Sequence, residues 1–458
     1  MSDPARIHDL LIVGGGINGA GIARDAAGRG LAVALCEKGD IAGATSWASS
    51  KLIHGGLRYL EHYDFRLVRE SLQEREILLR IAPHLTHPLR FVMPHSSTSR
   101  PAWLIGLGLW LYDHLGGAKT LPPSAAVAFA DSPYGAPLQA ACRNGHVYSD
   151  VQTNDARLTI ENVRDAAHHG ASILPRTRLL SARRENGIWV CTLRTADALV
   201  FDMRFRAIAN AAGPWAARMH TLLGGREDIG IQLVRGSHIV VPRLYAGDHA
   251  YTLQNDDGRI VFLLPFHDNF TLIGTTEVRV RDPDELPAAS TEEVAYLCRA
   301  TNRYLRNPIR PQDAVWTFAG VRPLLDDGKE NLSQVSREYR FVLDQPRTGD
   351  APLLTIIGGK LTTYRRLAEK ALDRLAPTFP KMAPAWTAQA LLPDRMIDSG
   401  ADPGCDFGGG LCERDVRYFI EQEWAHDADD IMWRRTKAGL SMNRKQRDEF
   451  TLWLERNR

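Results

Sequence analysis

Several things are scarce in these 458 residues, and each scarcity excludes something. There are six cysteines, Cys36, Cys142, Cys191, Cys298, Cys405 and Cys412, with no CxxC pair and no regular framework among them. That argues against a disulfide scaffold; reduced thiols in a cytoplasmic protein are expected, and no metal. Neither sign of charge dominates: 56 Lys and Arg against 54 Asp and Glu give a net charge of +2. A nucleic-acid partner is therefore not expected, and any electropositive role must be local. No apolar run reaches the roughly 20 residues of a membrane span; the longest candidate, Trp103 to Tyr112, is about half that. Residues 1–8 are short and polar, so no signal peptide is expected before the first strand. The chain should be cytoplasmic or lie on a membrane surface. With 44% hydrophobic and 24% charged residues it has ample core, and its length suits about two or three domains.

What is present starts almost at once. The apolar run Leu10 to Val13 leads directly into Gly14-x-Gly16-x-x-Gly19. Gly14 suits the tight turn, Gly16 a close approach to pyrophosphate, and Gly19 a helix lying near the strand with its positive end toward the phosphates. A second apolar run, Leu31 to Cys36, ends in Glu37, 18 residues after Gly19. That is close to the spacing of a ribose-hydroxyl acceptor. Strand, turn, helix, second strand and acid fall in register, which points to an adenine dinucleotide.

Behind Glu37 comes a loop of small residues with hydroxyls at Thr45, Ser46, Ser49 and Ser50 and glycines at Gly55 and Gly56. Alone it would read as a solvated connection; behind a dinucleotide turn it reads better as a wrap around the rest of the cofactor. Phe65 to Ile81 has the pattern of an amphipathic helix stopped by Pro83. The greasiest segment, Pro101 to His114, reads as a buried core helix, with a membrane-dipping surface as the alternative. Asn154 can cap a helix through His169, and Asn186-Gly187 makes a hairpin turn between strands. A second strand-to-helix junction follows at Arg206 to Ala217, where Gly213 turns and Pro214 suits the first helical position. It should return the chain to the cofactor sheet. Between about 228 and 349, short apolar runs and one helix (Glu292 to Leu305) suggest an antiparallel sheet forming a second domain. A third junction spans Leu353 to Arg365. Beyond Pro384 the chain reads as a small helical module, with Gly408 to Gly410 as linker and a basic stretch from Ile431 to Lys437 as a solvated helix face.

Only one dinucleotide fingerprint occurs. A flavoenzyme reduced by NADPH commonly carries a second, and a nicotinamide enzyme needs neither the serine-rich wrap nor two later returns to the cofactor sheet. The pattern favours tightly bound FAD, reduced by an organic substrate.

The motifs at Gly14 to Gly30, Ser49 to Glu61, Gly236 to Pro242, Gly320 to Leu324 and Gly358 to Tyr364, in this order, closely resemble those of the bacterial FAD-dependent, respiratory glycerol-3-phosphate dehydrogenases. The resemblance runs over about 8–395 and resumes at about 406. It implies an α/β plus α+β fold of the D-amino-acid-oxidase and glutathione-reductase type. A Rossmann-like FAD domain is expected from 1–85, 145–227 and 350–378, a substrate domain from 86–144 and 228–349, and a C-terminal helical cap at 384–458. The implied reaction oxidises sn-glycerol 3-phosphate to dihydroxyacetone phosphate, passing electrons through FAD to membrane quinone. The setting would be a homodimer, peripheral on the cytoplasmic side of the inner membrane or cytoplasmic.

By the same resemblance Arg58, Tyr59, Arg322 and Lys360 grip substrate, which suits a phosphate dianion. His238 can take the hydroxyl proton, with Arg322 as a rival that stabilises the developing alkoxide. Cofactor contacts are expected at Gly14, Gly16, Asn18, Gly19, Glu37, Thr45, Ser46, Ser49, Ser50, Leu52, His54, Gly55, Gly213, Gly359, Lys360, Leu361 and Thr362. The helix opening after Gly359 would direct N–H groups toward negative charge on reduced flavin. The chain departs from the family between about 391 and 406, where several helices are missing and the cap is shortened. An oxidase passing electrons to oxygen, another amino-acid-oxidase-type flavoenzyme, a flavin-dependent RNA-modifying protein and an inactive flavin-stabilised scaffold stand as alternatives.

Overall fold

A computed structural model describes residues 6–57, 60, 64–95, 101–117, 120–285, 288–326, 328, 338–345, 347, 349–395, 397, 400 and 402–457. Arg58 and Tyr59 lie outside the described residues. The chain divides into two compact units, one from 1–47, 154–231 and 337–458, the other from 48–153 and 232–336.

The first unit is built on β1 (Ile7–Val13), α1 (Ile17–Gly28) and β2 (Val33–Cys36). β1 pairs in parallel with β2 on one side and with the strand Val200–Asn210 on the other. Leu353–Ile357 joins Val200–Asn210 in parallel, and Ser172–Leu174 joins β2. All three strand-to-helix junctions thus return to one sheet, as expected. The long hairpins Thr177–Glu185, Ile188–Thr195 and Val200–Asn210 extend it antiparallel, turning at Asn186 and Gly187, both at positive φ. β1 from Leu10 on, β2 and Leu353–Ile357 are buried because helices cover parallel strands. α1 and Asp155–His168, whose cap is the Asn154 side chain accepting from Arg157 N–H, contribute alanines and Ile160 and Val163 to that core. Small residues let these helices approach closely.

Residues 384–458 belong to this unit, although the sequence suggests a separate cap. They keep a small core of their own around Val416, Phe419, Ile431 and Phe450, but buried ion pairs tie them in. Arg157 holds Glu423, and Arg434 and Arg435 both reach Asp40. The basic stretch is therefore no solvated face: Arg435 is buried, as are Ile431 and Met432. Gly408 to Gly410 form the turn between Asp406–Gly408 and Leu411–Cys412. All three are at positive φ, which is why glycines and not a generic linker stand there.

The second unit carries a mixed sheet of ten strands whose longest members are Ile231–Pro242, Asn144–Thr153, Trp316–Leu325 and Thr86–Pro94. Antiparallel pairs predominate; Ala250–Gln254 and Thr86–Pro94 run parallel. Residues 48–85, grouped with the cofactor domain on sequence, fold here because Leu52–Ile53 pairs with Asn144–Thr153. The helix Thr291–Asn302 opens with a capping box between Ser290 and Glu293 and packs Leu297 and Cys298 against the sheet. The segment Ala102–Leu115 is helical but not a core helix. It buries Ile105, Leu109 and Tyr112 and leaves Trp103, Leu107 and Trp110 more than half exposed.

Candidate active site

The first unit holds a cradle made mostly of backbone. Gly14 sits at φ +112, and a Cβ there would lie 2.5 Å from the Ala211 carbonyl oxygen. A Cβ on Gly19 would lie 1.9 Å from the Gly14 oxygen, so only glycine lets α1 start this close to the turn. Gly16 is the helix N-cap and has no capping side chain of its own. Ser46, from the short turn Thr45–Trp47, supplies one: its Oγ accepts from Ile17 N–H at 2.9 Å. That gives Ser46 a capping role beside the expected cofactor role.

Glu37 closes the cradle. Its Oε2 accepts from Gly15 N–H at 2.7 Å and its Oε1 from Gly39 N–H at 2.8 Å. Burial pushes this carboxyl above its ordinary range, while the two backbone donors pull the other way. Each oxygen keeps a second lone pair for a ribose hydroxyl. Asn18 donates to the Gly358 carbonyl at 3.0 Å, which brings the third junction onto the first. Gly358 and Gly359 are both at positive φ, and a Cβ on Gly359 would meet the Asn18 amide at 2.9 Å. Lys360 caps the turn Leu361–Thr363 ahead of the helix Tyr364–Leu375, and Thr362 is fully buried. Gly213 opens the turn at the second junction at φ +54, and Lys38 stacks over the neighbouring Trp215 ring at 3.4 Å. Glycines a Cβ would fill, a helix N-terminus and a carboxylate with spare lone pairs fit the pyrophosphate and ribose of a dinucleotide.

The second unit holds a cluster made of side chains. Ser50 Oγ lies 2.9 Å from His238 Nε2, and the His238 ring stacks on Phe318 with centroids 4.9 Å apart and planes 12° from parallel. The imidazole is 2% exposed. Burial, then the Arg322 and Lys51 charges, hold it well below the ordinary histidine range, so it is neutral throughout the physiological interval. Arg322, on the strand Trp316–Leu325, donates to Thr275 Oγ1 at 3.1 Å and has Glu277 at 3.8 Å. A Cβ on Gly236 would meet its Nη2 at 2.2 Å, so the Gly236-Ser-His segment yields space to this guanidinium. Ser50, 188 residues before His238, thus comes together with it and with the Arg322 charge. Ser49 Oγ accepts from Lys51 N–H at 2.9 Å, a local turn that sets Lys51 at φ +60. Gly55 N–H donates to Tyr112 Oη at 2.7 Å; His54 lies two residues beyond Leu52, in the same stretch.

Sequence reasoning passed over Lys51 and Thr275. Lys51 is 2% exposed, with its Nζ 5.2 Å from the centre of the Phe318 ring. A lysine flanked by hydroxyl and apolar residues gives no signal of burial. Thr275 stands in no motif. Among the described residues no group of acids, histidines and cysteines could hold a metal ion.

The pattern of the FAD dependent oxidoreductase family matches residues 9–365. The chain is 47% identical to the glycerol-3-phosphate dehydrogenase of Pseudomonas aeruginosa, over 98% of this chain and 96% of that one. It is 45% identical to the D-erythritol 1-phosphate dehydrogenase of Brucella abortus, over 99% of each. The Pseudomonas alignment runs over 493 positions, so with 458 residues here (493 − 458) at least 35 positions of it have no counterpart in this chain. In fold the chain is similar to the crystal structure of the glycerol-3-phosphate dehydrogenase from Bacillus halodurans complexed with FAD. That match has a TM-score of 0.72 at 23% identity, over 99% of this chain and 95% of that one.

Proposed function

The chain belongs to the family of FAD-dependent oxidoreductases, and from that membership we propose that it oxidises sn-glycerol 3-phosphate to dihydroxyacetone phosphate. The single observation that carries this is the near-half identity, along almost the whole of both chains, to a relative of that name. Gly14, Gly16, Gly19 and Glu37 would hold FAD, which when bound would supply the acceptor for the hydride of C2. The protein's own residues must bind the phosphate, orient C2 and receive the hydroxyl proton.

Arg322, Lys360, Arg58 and Tyr59 are our assignments for gripping substrate, since a dianion needs several cations and donors. His238 is our assignment for the proton acceptor. An imidazole held far below its usual pKa is a weak base in isolation. The Arg322 cation that depresses it would depress the substrate hydroxyl as well by stabilising the alkoxide. Burial is the larger cause of that lowering and Arg322 adds to it; what Arg322 returns is stabilisation of the alkoxide, so the two residues work as a pair. Ser50, on Nε2, fixes the plane of the ring.

We assign the electron acceptor as membrane quinone, reached from the bilayer surface. No described helix is long and apolar enough to cross a membrane. The exposed Trp103, Leu104, Leu107 and Trp110 instead form an apolar face on one short helix. Arg100 and Lys119 flank that segment in sequence, and basic flanks suit anionic headgroups. Reduced enzyme should pass electrons to a short-chain ubiquinone with little hydrogen peroxide formed in air; stoichiometric peroxide would identify an oxidase instead.

A second substrate has its own support, the 45% identity to a D-erythritol 1-phosphate dehydrogenase. Both are polyol phosphates with a secondary hydroxyl beside the phosphorylated carbon. Comparing kcat/KM for the two decides between them: a larger value for glycerol 3-phosphate supports the assignment, and a larger one for erythritol 1-phosphate overturns it.

A further inference from the structure

The helix Ala102–Leu115 buries Ile105, Leu109 and Tyr112, and the phenol is the one polar group among these three. Tyr112 is 2% exposed, and its Oη stands 2.8 Å from each oxygen of Asp150. Asp150 in turn accepts from Arg75 Nη1 at 2.9 Å, and Arg75 also reaches the Ser149 carbonyl. Burial, and then the Asp150 charge, raise the phenol well above its ordinary range, so it keeps its proton and spends it on Asp150. Its lone pairs remain to accept, and they accept the Gly55 N–H at 2.7 Å.

That contact depends on glycine. A Cβ on Gly55 would lie 2.7 Å from Tyr112 Oη and 2.6 Å from Leu72 Cδ2. Three residues earlier the same stretch is fixed by the pairing of Leu52 and Ile53 with Gln152 and Val151. The stretch is therefore held at two points, a strand ladder and the Tyr112–Asp150 pair that takes the Gly55 N–H, shortly before Arg58 in sequence. The phenol belongs to the helix that turns Trp103, Leu107 and Trp110 outward.

We propose that Tyr112 is a positioning residue, which holds the Gly55 stretch for substrate binding and passes to it the docking of the exposed helix face on a lipid surface. This rests on the function proposed above, and the test keeps the two apart. In the FAD-loaded protein, Tyr112→Phe removes the phenol that accepts the Gly55 N–H and leaves that N–H to the Asp150 carboxylate alone. KM for glycerol 3-phosphate should rise by roughly three- to tenfold, the order of effect of one lost hydrogen bond, with kcat within about twofold and flavin content unchanged. Hydrogen exchange of the peptide spanning 52–57 should quicken while the rest of the chain keeps its protection. Vesicles of phosphatidylcholine and phosphatidylglycerol should lower KM in the wild type and not in the variant.

Unchanged KM and exchange in Tyr112→Phe would overturn the proposal. So would a joint loss of kcat, flavin and global protection, which marks a merely structural residue. Vesicles that shift KM equally in both proteins, or in neither, would overturn the lipid coupling. If the wild type did not oxidise glycerol 3-phosphate, the exchange comparison would still decide the Tyr112–Gly55 link, and the functional reading alone would fall. If Tyr112→Phe did not fold, Gly55→Ala parts the same contact from the other side and should raise KM alike.

Discussion

The two units carry their candidate sites in opposite materials. The first uses N–H groups, carbonyls and absent side chains: Gly14, Gly16 and Gly19 around one turn, with Glu37 and Ser46 steadying the backbone. The second uses side chains: a buried imidazole stacked on Phe318, a guanidinium on Thr275, a buried lysine. A backbone site fails when an atom is added, whereas a side-chain site fails when one is removed. Binding of FAD and turnover of substrate should therefore separate cleanly by mutation.

The largest effect belongs to the backbone site. Gly19→Ala places a methyl 1.9 Å from the Gly14 oxygen, which no rotamer relieves; the purified protein should contain no flavin. Gly30→Ala is the control, for a Cβ there meets nothing within 4 Å, and it should retain FAD with about 1 kcal/mol of backbone strain. Flavin kept in Gly19→Ala would break the contrast.

Next comes the side-chain site. Arg322→Ala should keep its flavin and lose roughly 100- to 1000-fold in turnover, the order for removing a cation that faces developing charge. Arg322→Lys should recover part of it. His238→Ala should slow anaerobic flavin reduction by about 100-fold. Unchanged stopped-flow rates would remove His238 as base. Because its pKa lies well below 6.5, kcat should stay level from pH 8 down through 6.5. A limb near 6.5 would mean that the imidazole is solvated in the complex.

Stability should follow the same burial. His238, His249, His220, His95 and His146 all have pKa values lowered chiefly by burial, His249 to about 4. The unfolded chain binds these protons near 6.5, the folded chain only below that. Below pH 6.5 the unfolded state therefore carries more protons and stability falls, continuing toward pH 4. Calorimetry between pH 7.5 and 4.5 should show a falling Tm, and a flat one would contradict the burial. The smallest effect is Ser46→Ala, which deprives Ile17 N–H of its acceptor. It should cost about 1 kcal/mol, read as a small drop in Tm.

How far the sequence could be read follows from the same contrast. The dinucleotide turn is local: strand, glycines and acid fall within 37 residues, and each glycine has a steric reason that its neighbours supply. The three junctions could be assigned to one sheet for the same reason. The polar cluster is not local. Ser50, His238, Thr275 and Arg322 meet only because the strand Ile231–Pro242 pairs with Phe270–Gly274 and Trp316–Leu325 lies beside it. Motifs supplied Ser50, His238 and Arg322; Thr275 stands in none, and Lys51, though inside the Ser49 to Glu61 motif, carries no sign of its burial. Apolar content alone marked Ala102–Leu115 as core, since composition does not say how many sides of a helix find a partner. Likewise, basic charge at Arg434 and Arg435 suggested solvent because their acid, Asp40, lies nearly 400 residues away.

The central claim is that a flavin held by the first unit is reduced by a polyol phosphate, and one measurement addresses it directly. FAD-loaded protein is titrated anaerobically with sn-glycerol 3-phosphate while the visible absorbance of the oxidised flavin is followed. Bleaching that saturates at modest concentration is the predicted result. Flavin that bleaches with dithionite but not with glycerol 3-phosphate would contradict the substrate while leaving the cofactor in place.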